Sequence, residues 1–204
     1  MAKVTLSTTE MNLIKEQDFI LTKNNIIQKV YELFGNVNEL YQQILQQQKA
    51  IPKEVVAVSA KISRGENYKN LPWVMLDNPR YFNVDDVFAI RTFFWWGNFI
   101  SINFLVQGCF VNEMKLHLKL NKENLNDWFL CCAKNAWEHH FEANNFLPIT
   151  HFSNQQIDDL VFIKLAKKIP LQEWDSVEFF LKENYEMAIQ LFANANYPGD
   201  AASL

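Results

Sequence analysis

The run Phe93-Phe94-Trp95-Trp96-Gly97-Asn98-Phe99-Ile100 constrains this chain more than any other stretch. Two apolar, ring-rich segments separated by Gly-Asn read as a β-hairpin, because glycine first in a two-residue loop suits a type II′ turn. That turn sets a register in which Trp95 opposes Ile100, Phe93 opposes Ile102, Arg91 opposes Phe104 and Ala89 opposes Val106. The face so formed is apolar apart from Arg91 and belongs in a core. The other face, with Trp96, Phe99, Phe94, Ser101 and Asn103, mixes rings with small polar groups and reads as a half-covered surface or a pocket wall.

Around the hairpin the expected elements follow from period and punctuation. Ser7 and Glu10 have capping-box spacing for a first helix. Ile26, Ile27, Val30, Tyr31 and Phe34 recur at helical spacing up to Gly35, which stands where a C-terminal cap belongs. A further helix carries Val37, Leu40, Tyr41, Ile44 and Leu45. After Pro52, Val55 to Val58 read as β-prone, Arg64 to Asn70 as a charged loop, and Leu71 to Asp77 as a strand ended by an Asp77-Asn78-Pro79-Arg80 turn. Met114, Leu116, Leu118 and Leu120 alternate with polar residues and predict another strand. A long helix is expected over 122–145. Ser153 caps the next one, and Pro170 opens the last, with Trp174, Val177, Leu181, Ala188 and Phe192 as its core stripe.

Together these elements predict one α+β domain over residues 1–197, with a frayed tail over 198–204. Its sheet is expected to be mainly antiparallel, of three to five strands between about residues 55 and 120, packed by N-terminal and C-terminal helices.

Composition narrows the function classes. A formal charge of −4 gives no global attraction to nucleic acid or anionic lipid. The most apolar stretch, near Val87 to Val106, is broken by Arg91, Gly97, Asn98 and Asn103, so no membrane span is expected. Cys109, Cys131 and Cys132 lack disulfide or zinc spacing and are expected to be reduced core thiols in a cytoplasmic protein. No glycine-rich phosphate loop or nucleophile elbow is present, and no cofactor is implied.

The candidate ligand site is a cleft between the charged loop and the polar side of the hairpin, built from Arg64, Tyr68, Lys69, Asp77, Arg80, Arg91, Trp96 and Asn103. Guanidinium forks and an ammonium beside aromatic walls suit a small anionic ligand or a partner segment. Arg91 is the most informative of them, since an arginine at the centre of an apolar strand face needs an anionic partner, which Asp77, Asp85, Asp86 or a ligand anion can supply.

Two other readings stand beside this one. In the first, His139 or His140 acts with Glu142 as a hydrolase- or transferase-like pair, metal-assisted if His117 or His151 joins it, because His139 and Glu142 would share a helix face. In the second, an aromatic patch mediates homodimerisation. The segment from Arg64 to Asp77, followed by the hairpin, resembles uncharacterised bacterial α+β families with a Tyr-Lys-x-x-Pro-type entry to a strand. Tyr68, Lys69 and Pro72 are the matching positions, with Asn70 and Leu71 intervening. The resemblance implies an α+β fold and carries no activity.

Overall fold

The computed structural model describes residues 3–193; the expected tail over 198–204 lies outside the described residues. In chain order the helices are α1 (Thr8–Leu13), α2 (Gln17–Gln46), α3 (Lys53–Val56), α4 (Val111–Asn121), α5 (Asn154–Asp158) and α6 (Val177–Ala193). The strands are β1 (Lys61–Tyr68), β2 (Leu71–Phe82), β3 (Val87–Trp95), β4 (Phe99–Gln107), β5 (Phe129–Cys131), β6 (Phe146–Pro148) and β7 (Phe162–Pro170). They form one antiparallel sheet in the order β1-β2-β3-β4-β7-β5-β6. The α+β class is as expected, but the sheet has seven strands rather than three to five and runs on to residue 170. No helix among the described residues is long and apolar enough to cross a membrane.

The extra strands come from stretches whose composition suits helix or loop. Lys164 and Lys167 interrupt the apolar residues of 162–170 in a way that also fits a helix, yet Ile163 and Leu165 point to one core while Phe162, Lys164 and Ala166 point to another. Trp128 and Leu130 likewise pack on the helix side, and Phe129 and Cys131 on the other, so a period of two replaces the expected long helix. Arg64 to Tyr68 is strand rather than loop. Lys69 and Asn70, at φ 48° and 65°, make the two-residue turn into β2, where a type I′ hairpin requires positive φ at both positions. The Asp77-Asn78-Pro79-Arg80 group is no turn: β2 runs through it with a register shift between Asp77 and Arg80, which takes the proline, having no N–H, out of the ladder.

Reversed assignments have equally local causes. Residues 111–121 are helix, not strand, and bury Val111, Met114, His117 and Leu118 while Leu116 and Leu120 stay exposed. Glu, Met, Lys and Leu favour helix, and packing of that helix against α6 settles a stretch whose apolar pattern fits both periods. Residues 53–56 are likewise a short helix. The expected break at Gly35 does not occur, because Ile27, Val30, Phe34, Val37, Tyr41 and Leu45 keep one stripe in phase across it. An interior glycine costs about 1 kcal/mol, less than that stripe contributes when buried. Pro170 ends β7 and α6 begins at Val177, where Val177, Leu181, Ala188 and Phe192 are buried as expected and Trp174 is not.

α2, α4 and α6 all pack on one face of the sheet. There Phe88, Ile90, Phe94, Ile100, Ile102 and Phe104 meet the stripes of α2 and α6, and the Tyr41 ring stacks on Tyr185 at 3.7 Å. The Tyr41 hydroxyl pairs with Thr92 Oγ1 at 3.0 Å. Among the described residues the opposite face carries no helix; the irregular segment 132–145, between β5 and β6, covers its middle. Gly108, at φ +71°, makes the tight exit from β4, where a Cβ would stand 2.0 Å from Asp86 Oδ1.

Candidate functional site

The hairpin register determines what reaches the loop-covered face. Trp95 opposes Phe99, Phe93 opposes Ser101 and Arg91 opposes Asn103, one residue away from the expected pairing. The turn is a three-residue loop, Trp96-Gly97-Asn98, with Gly97 at φ +71° and the Asn98 amide bonded to the Trp95 carbonyl. This shift gives the helix side an apolar set broken only by Thr92. It also gathers Arg91, Ser101 and Asn103 on the other side, among Trp95, Phe93 and Phe99. The expected Trp96–Ser101–Asn103 wall therefore does not exist, since Trp96 packs on the helix side near Ile26, Phe94, Leu171 and Trp174.

Of the eight expected site residues, Tyr68, Asp77, Arg91 and Asn103 lie on the loop-covered face. Arg64 lies on the opposite face, with its guanidinium over the Tyr31 ring at 5.6 Å. Lys69 occupies the β1–β2 turn, and Arg80 donates to the Ser59 carbonyl at 3.3 Å. The convergence of Arg64, Lys69, Arg91 and Trp96 is thus absent; strand alternation separates them.

At the centre of the observed cluster, Arg91 and Asp77 are direct ladder partners and form a two-pronged ion pair. Nε to Oδ1 is 2.7 Å and Nη2 to Oδ2 is 3.0 Å. This partner for Arg91 is one the sequence reading names. The third edge of the guanidinium meets His139 Nε2 at 3.3 Å, and Trp137 lies beside it at 5.6 Å. A guanidinium only donates, so Nε2 accepts and His139 is neutral with its proton on Nδ1. Burial, then the charges of Lys164 and Arg91, hold the His139 pKa well below the ordinary histidine value. Its ring stacks on Phe93 at 4.6 Å.

Tyr68 ties the covering segment to the sheet edge. Its hydroxyl oxygen accepts the backbone N–H of His139 at 2.7 Å and of His140 at 3.1 Å, and its proton goes to Glu138 Oε2 at 3.0 Å. Burial, with smaller contributions from Glu138, pushes its pKa up to about 12.

Lys164 is the buried member of the cluster that the sequence reading misses. Its inward position shows only once 162–170 is read with a period of two, between Phe162 and Ala166. It is 1% exposed, and its ammonium donates to the carbonyls of Ala136, at 2.8 Å, and Glu138. The Phe146 ring lies 5.1 Å away. Burial is the main cause that lowers its pKa to about 7; Arg91 adds to the lowering, while Cys131 and Glu138 oppose it. The Cys131 thiol is itself pushed up by burial.

Asn103 donates to Ser101 Oγ at 3.0 Å, and its side-chain oxygen, like His139 Nδ1, has no hydrogen-bond partner among the described residues. Arg91, Asn103, Ala136, Trp137, His139 and Lys164 line most of a cavity of about 10 Å³. That is room for about one water molecule.

The histidine pair is arranged differently from expectation. Residues 138–142 are not helical, so His139 and Glu142 share no helix face. His140 is the one near carboxylates, with Nε2 3.8 Å from Glu138 and Nδ1 3.6 Å from Glu142. Among the described residues no three His, Cys, Asp or Glu side chains group as a metal site. Cys131 is buried as expected, whereas Cys109 and Cys132 are exposed.

No family model, curated protein or solved structure matches this sequence. The functional reading rests on the cluster itself.

Proposed function

We propose that this protein binds a small monoanionic carboxylate between Arg91, Asn103 and Lys164, beneath the segment 132–145. The observation that carries the reading is the charge balance of the buried cluster. The buried set holds two cations, Arg91 and Lys164, against one buried carboxylate, Asp77, which pairs with Arg91, while Glu138 is 39% exposed at its side chain and so partly solvated. With Lys164 protonated, the buried set carries one uncompensated positive charge, which is costly in a low-dielectric site and is what a bound monoanion neutralises.

The carbonyls of Ala136 and Glu138, now accepting from Lys164, occupy positions that carboxylate oxygens can take when the covering segment lifts. The unpartnered oxygen of Asn103 favours a carboxylate that also carries a hydroxyl donor. Trp137, half exposed on the covering segment and set over Arg91, is the reporter. Following tryptophan fluorescence and amide NMR shifts, titration with formate and glycolate is expected to give saturable changes at Arg91, Asn103 and residues 136–139. Glycolate should bind tighter, and Lys164→Met should weaken both by about tenfold or more. Shifts that are linear in ligand, or identical in the Lys164→Met variant, count against the site.

A further inference from the structure

The hydrogen-bonding of the buried amine, and of two polar groups in the same cavity wall, fits one further chemistry. Among the described residues Lys164 Nζ has two acceptors, the carbonyls of Ala136, at 2.8 Å, and Glu138. An ammonium carries three N–H donors, whereas a neutral amine carries two and keeps a lone pair. The surroundings therefore match the neutral amine in donor count. Burial, which lowers the pKa to about 7, keeps a large share of it neutral near pH 7. A desolvated, neutral lysine beside another cation is a nucleophile toward carbonyl carbon.

The two polar groups are Asn103 Oδ1, an acceptor, and His139 Nδ1, which holds the proton of the neutral ring. Neither has a hydrogen-bond partner among the described residues. Asn103 is 1% exposed and His139 4%, and both line the small cavity that Lys164 and Arg91 also line. An unused donor and an unused acceptor in one cavity suit a hydroxyl group, which accepts from the first and donates to the second. A carbinolamine, the first adduct of an amine with an aldehyde, carries such a hydroxyl on the carbon bound to nitrogen.

We infer that Lys164 forms a Schiff base with a small 2-oxo acid of the glyoxylate type. This rests on the carboxylate reading above and adds the carbonyl carbon that the amine attacks. Nζ adds to that carbon, the C=O π pair moves to oxygen, and the oxygen takes the proton that nitrogen releases. His139 Nδ1 and Asn103 Oδ1 are the groups that hold the new hydroxyl. It leaves as water with one further proton from solvent, while the nitrogen lone pair closes the C=N bond as an iminium. The iminium charge then faces the carboxylate of the same adduct, and Arg91 keeps Asp77. A cavity with room for about one water favours the two-carbon acid over longer ones, entering as segment 132–145 lifts.

Reductive trapping of the full wild-type chain tests this. Glyoxylate and sodium cyanoborohydride near pH 7 convert an iminium to a carboxymethylated lysine, which peptide mass spectrometry locates. Labelling of Lys164 should exceed that of any other lysine by about tenfold or more, because ordinary lysines are almost wholly protonated there. Formate should suppress it, and acetaldehyde, which lacks the carboxylate, should label Lys164 about tenfold less. Labelling spread evenly over the lysines overturns the inference, as does acetaldehyde reacting as well as glyoxylate. Saturable formate binding without an adduct at Lys164 overturns it too, while leaving the carboxylate reading in place. Absence of both removes the two together.

Discussion

Replacing Asp77 with alanine is expected to destabilise the protein by about 3–5 kcal/mol, because it leaves a largely buried guanidinium without its carboxylate. The Arg91 side chain is 17% exposed and that of Asp77 8%; of the other neighbours of Arg91, a neutral His139 and the Trp137 ring supply no negative charge, and Lys164 adds a positive one. The pair also joins the central strands of the hairpin side directly across the β2–β3 ladder, next to the irregularity at Asn78 and Pro79. Urea denaturation measures the loss. The double variant Asp77→Ala, Arg91→Met should recover much of it, since removing both charges leaves nothing unpaired. A loss below about 1 kcal/mol in the single variant would mean that water reaches Arg91 and that the pair behaves like a surface one.

The second large effect is a stability that rises with pH from neutral upward. Lys164 has a folded pKa of about 7, below its ordinary 10.5. Between those values the unfolded chain holds a proton that the folded chain has released, so raising the pH through the window favours folding. One group contributes up to about 1.4 kcal/mol per pH unit, and between pH 7 and pH 9 the gain should reach about 2 kcal/mol.

The charged and titratable groups facing Lys164 are Arg91, Glu138, Cys131 and His139. His139 and His117, both held low by burial, act in the same sense at acid pH, where they favour the unfolded, protonated chain. Cys131, Tyr41, Tyr68 and Tyr185 are raised by burial and act in the opposite sense at alkaline pH, once their unfolded counterparts ionise, so the window closes there. Lys164→Met should flatten the profile between pH 7 and pH 9, although it also leaves the Ala136 carbonyl without a donor. A wild-type profile already flat in that window would contradict the buried, deprotonating lysine.

How much of this was legible in the sequence depended on whether a pattern fitted one period or two. The Ser7 capping box, the Ser153 cap and the apolar residues of the α2 stripe, though not the expected break at Gly35, follow from side-chain geometry within one turn and stand where the residues place them. The need of Arg91 for a carboxylate, and Asp77 as one that meets it, was equally readable from polarity alone. Segments such as Glu113 to Leu120 and Phe162 to Lys168 satisfy both helical and strand alternation, and there the tertiary partners decide: α6 for the first, β4 and β5 for the second. Lys164 was hidden for that reason. The hairpin slip was hidden too, because Gly97-Asn98 serves both a two-residue and a three-residue loop. Only the packing of Phe94, Ile100 and Ile102 against the helices selects the register that puts Asn103 beside Arg91.

The central claim is that Lys164 belongs to a carboxylate site, and its ionisation reports on that directly. The Lys164 side chain, followed by carbon-13 NMR at Cε through a pH titration, should show a midpoint near 7 in the free protein. Saturating formate should raise that midpoint by about one unit or more, since a bound anion favours the charged amine. A midpoint near the ordinary lysine value, or one that formate leaves where it was, would contradict the account.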